Sequence, residues 1–281
     1  MPSWFVNRET GFFGGENLKV GVFQFSASND IKKNFKIMTD AIVSAKNENV
    51  RLLVFQECAA CGYPPVETDN IDNMDFDVIK EEMGKIARLA RRYGMYIAVG
   101  TIRQENCKYY NSIQLINPEG EFVSSYDKRA LWGWDSDNFE KGSDMGIYQI
   151  DNIKVGFRIC FEVRFPEYFR ELFLEGVSLC FVSFCDVSEM DSAERYNIIK
   201  SHLITRAVEN VMSIISVNSI SKFQTAPTAV IDHNGRIIAE ATKNQNYLLL
   251  YDYEPAEITF GMNGRLKHSI ELLSTNTDVH K

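Results

Sequence analysis

Over residues 18–102 a short apolar strand pattern and an amphipathic helical stripe return in regular alternation, which leaves this chain few ways to fold. LKVGVFQF (18–25) alternates and is rich in Val and Phe, as a half-buried strand requires. Ile31, Phe35, Met38, Ile42 and Ala45 then recur at spacings that share one helical face. RLLVF (51–55) reads as a buried strand. A second stripe, Ile79, Met83, Ile86, Ala90 and Tyr93, ends at Gly94 before the strand MYIAVGTI (95–102). This β-α-β-α-β order predicts an α/β protein with helices covering its sheets.

The pattern continues with the strands NSIQLIN (111–117) and EFVSSYDK (121–128), joined at Pro118-Glu119-Gly120 by a hairpin turn that delivers Lys128. IYQI (147–150) and IKVGFRI (153–159) flank Asp151-Asn152, and the second runs directly into Cys160. Further expected elements are a helix from Pro166 to about Gly176, a strand at 178–184, a helix over 192–210 and a strand at 211–217. Beyond these, TAVI, RIIAEA and YLLLYD predict a strand-rich close, with a turn at Asp232 to Gly235. No low-complexity linker or short-period repeat divides the chain. It reads as one domain over 18–271, with an N-terminal arm at 1–17 packed on its own or a neighbouring subunit, and a polar, mobile tail at 272–281.

With 281 residues, 45% of them hydrophobic, the chain can bury a large core without disulfides or metals. A net charge of -8 argues against nucleic acid or an anionic membrane as partner, because both need a basic surface. Six scattered cysteines do not form the dense framework of a small secreted domain, so they read as reduced and the protein as cytoplasmic. The N-terminus lacks the pattern of a signal peptide. No run approaches the roughly 20 apolar residues that cross a bilayer.

Glu57, Lys128 and Cys160 each sit where a predicted strand ends, which is where α/β folds place their sites. Singly, each has a bland reading as a surface glutamate, a solvated lysine or a buried structural cysteine. Together they form a chemical set. A free thiol, with a pKa of ~8.5, is mostly protonated at neutral pH and needs a base or cation beside it to attack carbon. The usual partner is histidine, but His202 falls in a predicted helix, His233 in a turn, and His268 and His280 near the end. Glu57 as base and Lys128 as cation would serve instead. Cys58 and Cys61 make a CxxC, but no second pair or spaced histidine completes a zinc site, and neither a metal nor another cofactor is expected.

FQECAACGYPP (55–65), YDKRAL (126–131) and ICFEVRFPE (159–167) resemble, in order and spacing, the three signature segments of the nitrilase, or carbon-nitrogen hydrolase, family. RAVENVMSIISVNS (206–219) and TAVIDHNGRIIAEA (228–241) resemble its later helix-strand segment and closing hairpin, so the likeness spans about 18–250. The resemblance implies a four-layer α-β-β-α sandwich and a homodimer or higher homo-oligomer. It also implies Glu57 as general base, Cys160 as nucleophile and Lys128, aided by the Phe161 N–H, as the group that holds the tetrahedral oxyanion.

Many family members carry a second glutamate seven residues before a glycine. Counting back from Gly142 gives Asp135, one methylene shorter, whereas Glu140 lies too close to Gly142 without a loop change. Tyr63, Trp132, Trp134 and Phe184, near predicted strand ends or loops, are expected to line the substrate pocket beside Phe161. Arg164 matches a family arginine that braces the nucleophile turn by ion pairing.

The resemblance implies hydrolysis of a small amide through a cysteine thioester, the substrate being a small-molecule amide or carbamoyl compound. A nitrilase or an N-carbamoyl amidohydrolase would share these motifs. A catalytically silent scaffold and a CxxC oxidoreductase are the readings from other classes. Family members that act on carbamoyl acids can carry two adjacent arginines after the nucleophile. Here Val163 precedes Arg164 and the adjoining loop bears Trp132 and Trp134, which favours an aliphatic amide or ω-amide. Arg129 and Arg195 remain as basic residues able to reach the pocket.

Overall fold

The structure is a computed structural model that describes residues 17–275. The arm expected at 1–17 therefore lies outside the described residues except for Asn17.

One six-stranded sheet has the order β14-β1-β2-β3-β4-β5, from β14 (Tyr247–Tyr253), β1 (Leu18–Gln24), β2 (Leu52–Phe55), β3 (Tyr96–Glu105), β4 (Lys108–Ile116) and β5 (Phe122–Asp127). The second has the order β13-β12-β10-β8-β7-β6, from β13 (Ile237–Glu240), β12 (Ala229–Ile231), β10 (Ser213–Asn218), β8 (Leu179–Phe184), β7 (Ile153–Ile159) and β6 (Ile147–Ile150). A two-stranded ribbon pairs β9 (Val187–Ser188) with β11 (Phe223–Gln224).

The layering follows from the two-residue period of strands, which turns successive side chains to opposite faces. Leu53, Phe55, Ile97 and Val99 pack outward against α1 (Ile31–Asn47) and α2 (Phe76–Tyr93), meeting Phe35, Met38, Ile42, Met83 and Ile86. Their neighbours Leu52, Val54 and Ala98 point the other way and meet Val155, Phe157, Ile159, Phe181 and Val217 of the second sheet. On that sheet's outer face Cys180, Val182 and Ile214 pack with Phe169 and Leu172 of α4 (Pro166–Leu174) and with Ile199 and Leu203 of α5 (Ala193–Asn210). The result is the four-layer α-β-β-α sandwich.

Both helices of the first half begin where the sequence permits a cap. Asp30 and Asp75 accept from the Lys33 and Val78 amides, and Gly94 ends α2 in the left-handed conformation. The short helix α3 (Trp134–Asn138) follows β5, and α6 (Phe260–Thr275) ends the described chain. This last helix corrects the expected tail, because helix runs through residue 272 to Thr275, and residues 276–281 lie outside the described residues. α6 carries the stripe Met262, Leu266, Ile270 and Leu273, but Gly261 and Gly264 weaken its first turns and its start, Phe260, is almost fully exposed. No described helix is long and apolar enough to cross a membrane.

β1, β2 and β3 run parallel, as do β7, β8 and β10. β5 is antiparallel to β4, which is antiparallel to β3, so β5 points the same way as β2 and β3. The C-terminal ends of β2 and β5 therefore open on one edge of the first sheet, facing the ends of β7 and β8 across the sandwich.

Candidate active site

Glu57 follows β2 after Gln56, whose side chain is anchored to the Phe25 carbonyl at 2.9 Å. β3 passes so close that a Cβ on Gly100 would lie 2.0 Å from the Gln56 carbonyl oxygen, so only glycine lets this strand flank the segment. Glu57 is buried, and both of its oxygens are engaged. Oε1 accepts from Asn111 Nδ2 at 2.7 Å and from Lys128 Nζ at 2.8 Å. Oε2 accepts from the Cys185 amide at 2.7 Å, a bond that joins the two sheets.

Lys128 continues the β4-β5 ladder, its amide donating to the Asn111 carbonyl at 2.8 Å. Its carbonyl accepts from the Gly142 amide at 3.0 Å, in a fit where a Cβ on Gly142 would lie 2.0 Å from the Asp127 carbonyl oxygen. The buried ammonium also donates to Asp135 Oδ2 at 2.7 Å. Asp135 in turn accepts from the Tyr63 hydroxyl at 2.7 Å, and the Tyr63 ring lies 5.7 Å from Lys128 Nζ. Burial alone would lower the Lys128 pKa, but the charges of Glu57 and Asp135 oppose it, and the ammonium is held well above the ordinary lysine value. Lys128 stays a cation.

Cys160 stands at the end of β7 with φ 46°, in the left-handed region that an L-residue enters at a cost of about 1–2 kcal/mol. A one-turn 3-10 helix over residues 160–164 follows it, where the sequence predicts only a join to α4. Glu162, fully buried, holds this turn. Its Oε2 accepts from the Ile159 amide at 2.7 Å and the Tyr126 hydroxyl at 2.8 Å, and its Oε1 accepts from the Arg129 amide at 2.7 Å. One carboxylate thus ties the nucleophile turn of one sheet to the strand end that carries Lys128 in the other. Desolvation, then the charge of Glu57, push the Cys160 thiol well above the ordinary cysteine value, while Lys128 pulls the other way. Asp186 and Asp135 add to the rise, and no histidine is among these strongest influences. At rest the thiol is neutral, with a carboxylate and an ammonium beside it.

Of the residues predicted from sequence, Glu57, Lys128, Asp135 and Tyr63 are brought into one hydrogen-bonded chain. Asp135, rather than Glu140, takes the place beside Lys128; Glu140 is an exposed partner of Lys108 at 3.1 Å. The two tryptophans part company. Trp134 packs edge-on against Tyr63 and Phe139, whereas Trp132 is 76% exposed. Trp132 lies with Leu131, Phe161, Phe165 and Tyr168 along an outer groove of about 740 Å³. Arg129 faces that groove too, ion-paired to Glu171 and over the Tyr168 ring.

Two expectations are corrected. Phe184 is fully buried among the side chains beneath α4 and α5, so it packs behind the nucleophile turn instead of lining a pocket. Arg164 makes no ion pair among the described residues. The turn is braced instead by Arg206 of α5, which donates to the Val163 and Arg164 carbonyls, both at 3.1 Å.

Sequence reading missed Asn111, Glu162 and the Cys185 amide. Glu162 had a usable signal, since it stands three residues after Ile159, the capping-box spacing that lets a side chain reach back to a main-chain N–H. Asn111 and Cys185 had none, because their partner is Glu57, more than fifty residues away in each case. Cys58 and Cys61 are free and buried, and no cluster of three or more His, Cys, Asp or Glu suited to a metal occurs among the described residues.

The carbon-nitrogen hydrolase family model matches residues 19–260. The protein named 2-oxoglutaramate amidase from Bacillus subtilis (strain 168) is 24% identical over 261 residues, covering 90% of this chain and 92% of the relative. The N-carbamoylputrescine amidase of Arabidopsis thaliana is 24% identical, with 84% of this chain and 86% of the relative covered. A crystal structure of an amidase from Nesterenkonia sp. superimposes with a TM-score of 0.77 at 19% identity, covering 92% of this chain and 95% of that one.

Proposed function

We propose, from the premise that this chain belongs to the carbon-nitrogen hydrolase family and is a hydrolase of C–N bonds, that it cleaves a short aliphatic amide or ω-amide through a thioester on Cys160. The observation that carries this reading is the convergence of a buried carboxylate and a buried ammonium, 2.8 Å apart, as the two charges that act most strongly on the Cys160 thiol.

Glu57 takes the thiol proton as sulfur attacks the amide carbon, and the carbonyl π electrons move to oxygen. Lys128 and the Phe161 N–H face that developing negative charge. The C–N bond then breaks as Glu57 returns the proton to nitrogen, releasing ammonia or an amine and leaving the thioester. Water, deprotonated by Glu57, adds to the thioester, and the sulfur leaves and recovers its proton. A neutral resting thiol fits this scheme, because the base is poised to act only as the new bond forms. Asp135, itself held by Tyr63, keeps Lys128 in place beside Glu57. The substrate class is supported by the single arginine after the nucleophile. It agrees with the name of the Bacillus relative, and with an amidase of Nesterenkonia sp. AN1 determined in complex with butyramide.

Trapping with a mixture of amides and ureido compounds, followed by mass spectrometry, is expected to place an acyl mass on Cys160. Turnover with an adduct on another cysteine, or with none, would overturn the mechanism. Paired amides and nitriles of one carbon skeleton, with N-carbamoyl-alanine alongside, separate amidase from nitrilase and carbamoylase activity. Absence of turnover on all of them is the result a silent scaffold gives. The same reading takes the protein as a homo-oligomer, which sedimentation velocity tests.

A further inference from the structure

One cation, held by the residue that follows Cys185, has no part in this mechanism. Arg195 lies in the first turn of α5, where the helix dipole disfavours a positive charge, so helix stability does not account for it. Its Nε and Nη2 donate to Asp186 Oδ1 and Oδ2 at 2.9 and 3.1 Å. Asp186 is buried and held from several sides. Its amide donates to Asn218 Oδ1 at 2.9 Å, its carbonyl accepts from Asn218 Nδ2 at 2.8 Å, and Thr225 bonds to both its carbonyl and its carboxylate. It also directly follows Cys185, whose amide holds Glu57. The guanidinium is thereby fixed in orientation relative to the base, while its side chain remains 52% exposed.

A guanidinium has two faces that can grip a carboxylate with a pair of parallel N–H bonds. Asp186 occupies the Nε/Nη2 face. No bond to Nη1 occurs among the described residues, which leaves the Nη1/Nη2 face for a second carboxylate. Cys160 and Arg195 also lie within electrostatic reach, since the thiolate would raise the Arg195 pKa, after the larger effects of its bond to Asp186, of burial and of the Asp186 charge.

We infer that Arg195, oriented by Asp186, binds the carboxylate of a substrate whose amide lies at its other end, so that the preferred substrates are ω-amides of short dicarboxylic acids. This rests on the amidase reading and narrows it. The anchoring of Asp186 is what separates this arginine from an ordinary surface ion pair: the acid is buried and bonded through its amide, carbonyl and carboxylate, so that the arginine presents one fixed face.

The test separates binding from turnover. In the full-length Cys160→Ala protein, calorimetry compares succinamate and glutaramate with their respective uncharged isosteres, 4-oxopentanamide and 5-oxohexanamide. At least one carboxylated amide is expected to bind about 10-fold or more tightly than its own isostere, as a bidentate charged contact provides. Adding Arg195→Gln should bring that ratio close to one. A ratio near one before the second substitution, or one that survives it, overturns the assignment. Ammonia release by the unmodified enzyme is scored separately. Turnover without a binding preference keeps the amidase reading and rejects Arg195, whereas a preference without turnover does the reverse.

Discussion

β2 and β7 lie in different sheets, and charge links them at both ends with opposite consequences. Before β2, Arg51 pairs with Asp151, which precedes β7, at 2.6 Å; both side chains are about a third or more exposed. After β2 stands Glu57, and after β7 stands Cys160, in a cluster where Glu57, Lys128 and Asp135 are buried. Water screens the first pair, which is worth about 0–1 kcal/mol by the usual measure of surface ion pairs. Water is excluded from the second, where each charge must be matched by hydrogen bonds or be costly. The sandwich thus uses its exposed end for a simple clip and its buried end for groups kept reactive.

Removing the nucleophile should have the largest effect. Cys160→Ala is expected to abolish turnover with a normal circular dichroism spectrum, and measurable hydrolysis by a verified variant would place the chemistry elsewhere. Next comes Lys128→Met, expected to lower kcat by about 10²–10³-fold, the range for loss of one oxyanion donor. Because Lys128 pulls the Cys160 pKa down, its loss should push that pKa further up. The rise of iodoacetamide labelling with pH should therefore move to higher pH than in the parent protein. A shift to lower pH would contradict the electrostatics of the buried end.

Glu162→Gln leaves the shape but removes the charge that serves four main-chain or hydroxyl donors. A loss of about 1–3 kcal/mol in urea unfolding is expected, together with a lower kcat. Unchanged stability would mean that the turn is held by Arg206 and packing alone. Asp135→Asn should reduce kcat about 10-fold while Glu140→Gln does little, as expected if one carboxylate steadies the ammonium and the other is solvated. Equal effects would break that distinction. Smallest of all is Arg51→Ala, expected to shift stability by no more than about 1 kcal/mol and to leave kcat/KM unchanged. A large loss of activity would show that the two ends are coupled through the strands.

Most of the fold was legible because burial imposes a period. The alternation in IKVGFRI fixed β7 to the residue, and the stripes from Ile31 and Ile79 located α1 and α2. In α6 the stripe Met262, Leu266, Ile270 and Leu273 shares its first turns with Gly261 and Gly264, and so short a pattern with two glycines does not announce a helix. Phe184 was misjudged because a strand end identifies a position but not the face to which its side chain turns.

Local pattern in the chain is enough to pick out the groups available for chemistry: Glu57, Lys128 and Cys160 at strand ends, and Asp135 seven residues before Gly142. Strand length and turn spacing are short-range properties. What those groups experience depends on the packed fold. The Cys185 amide and Asn111 reach Glu57, Glu162 spans from the nucleophile turn to the residue after Lys128, and Asp186 holds Arg195. Hydrogen bonding and desolvation depend on distance in space, and stacking the two sheets brings together groups that the chain keeps far apart.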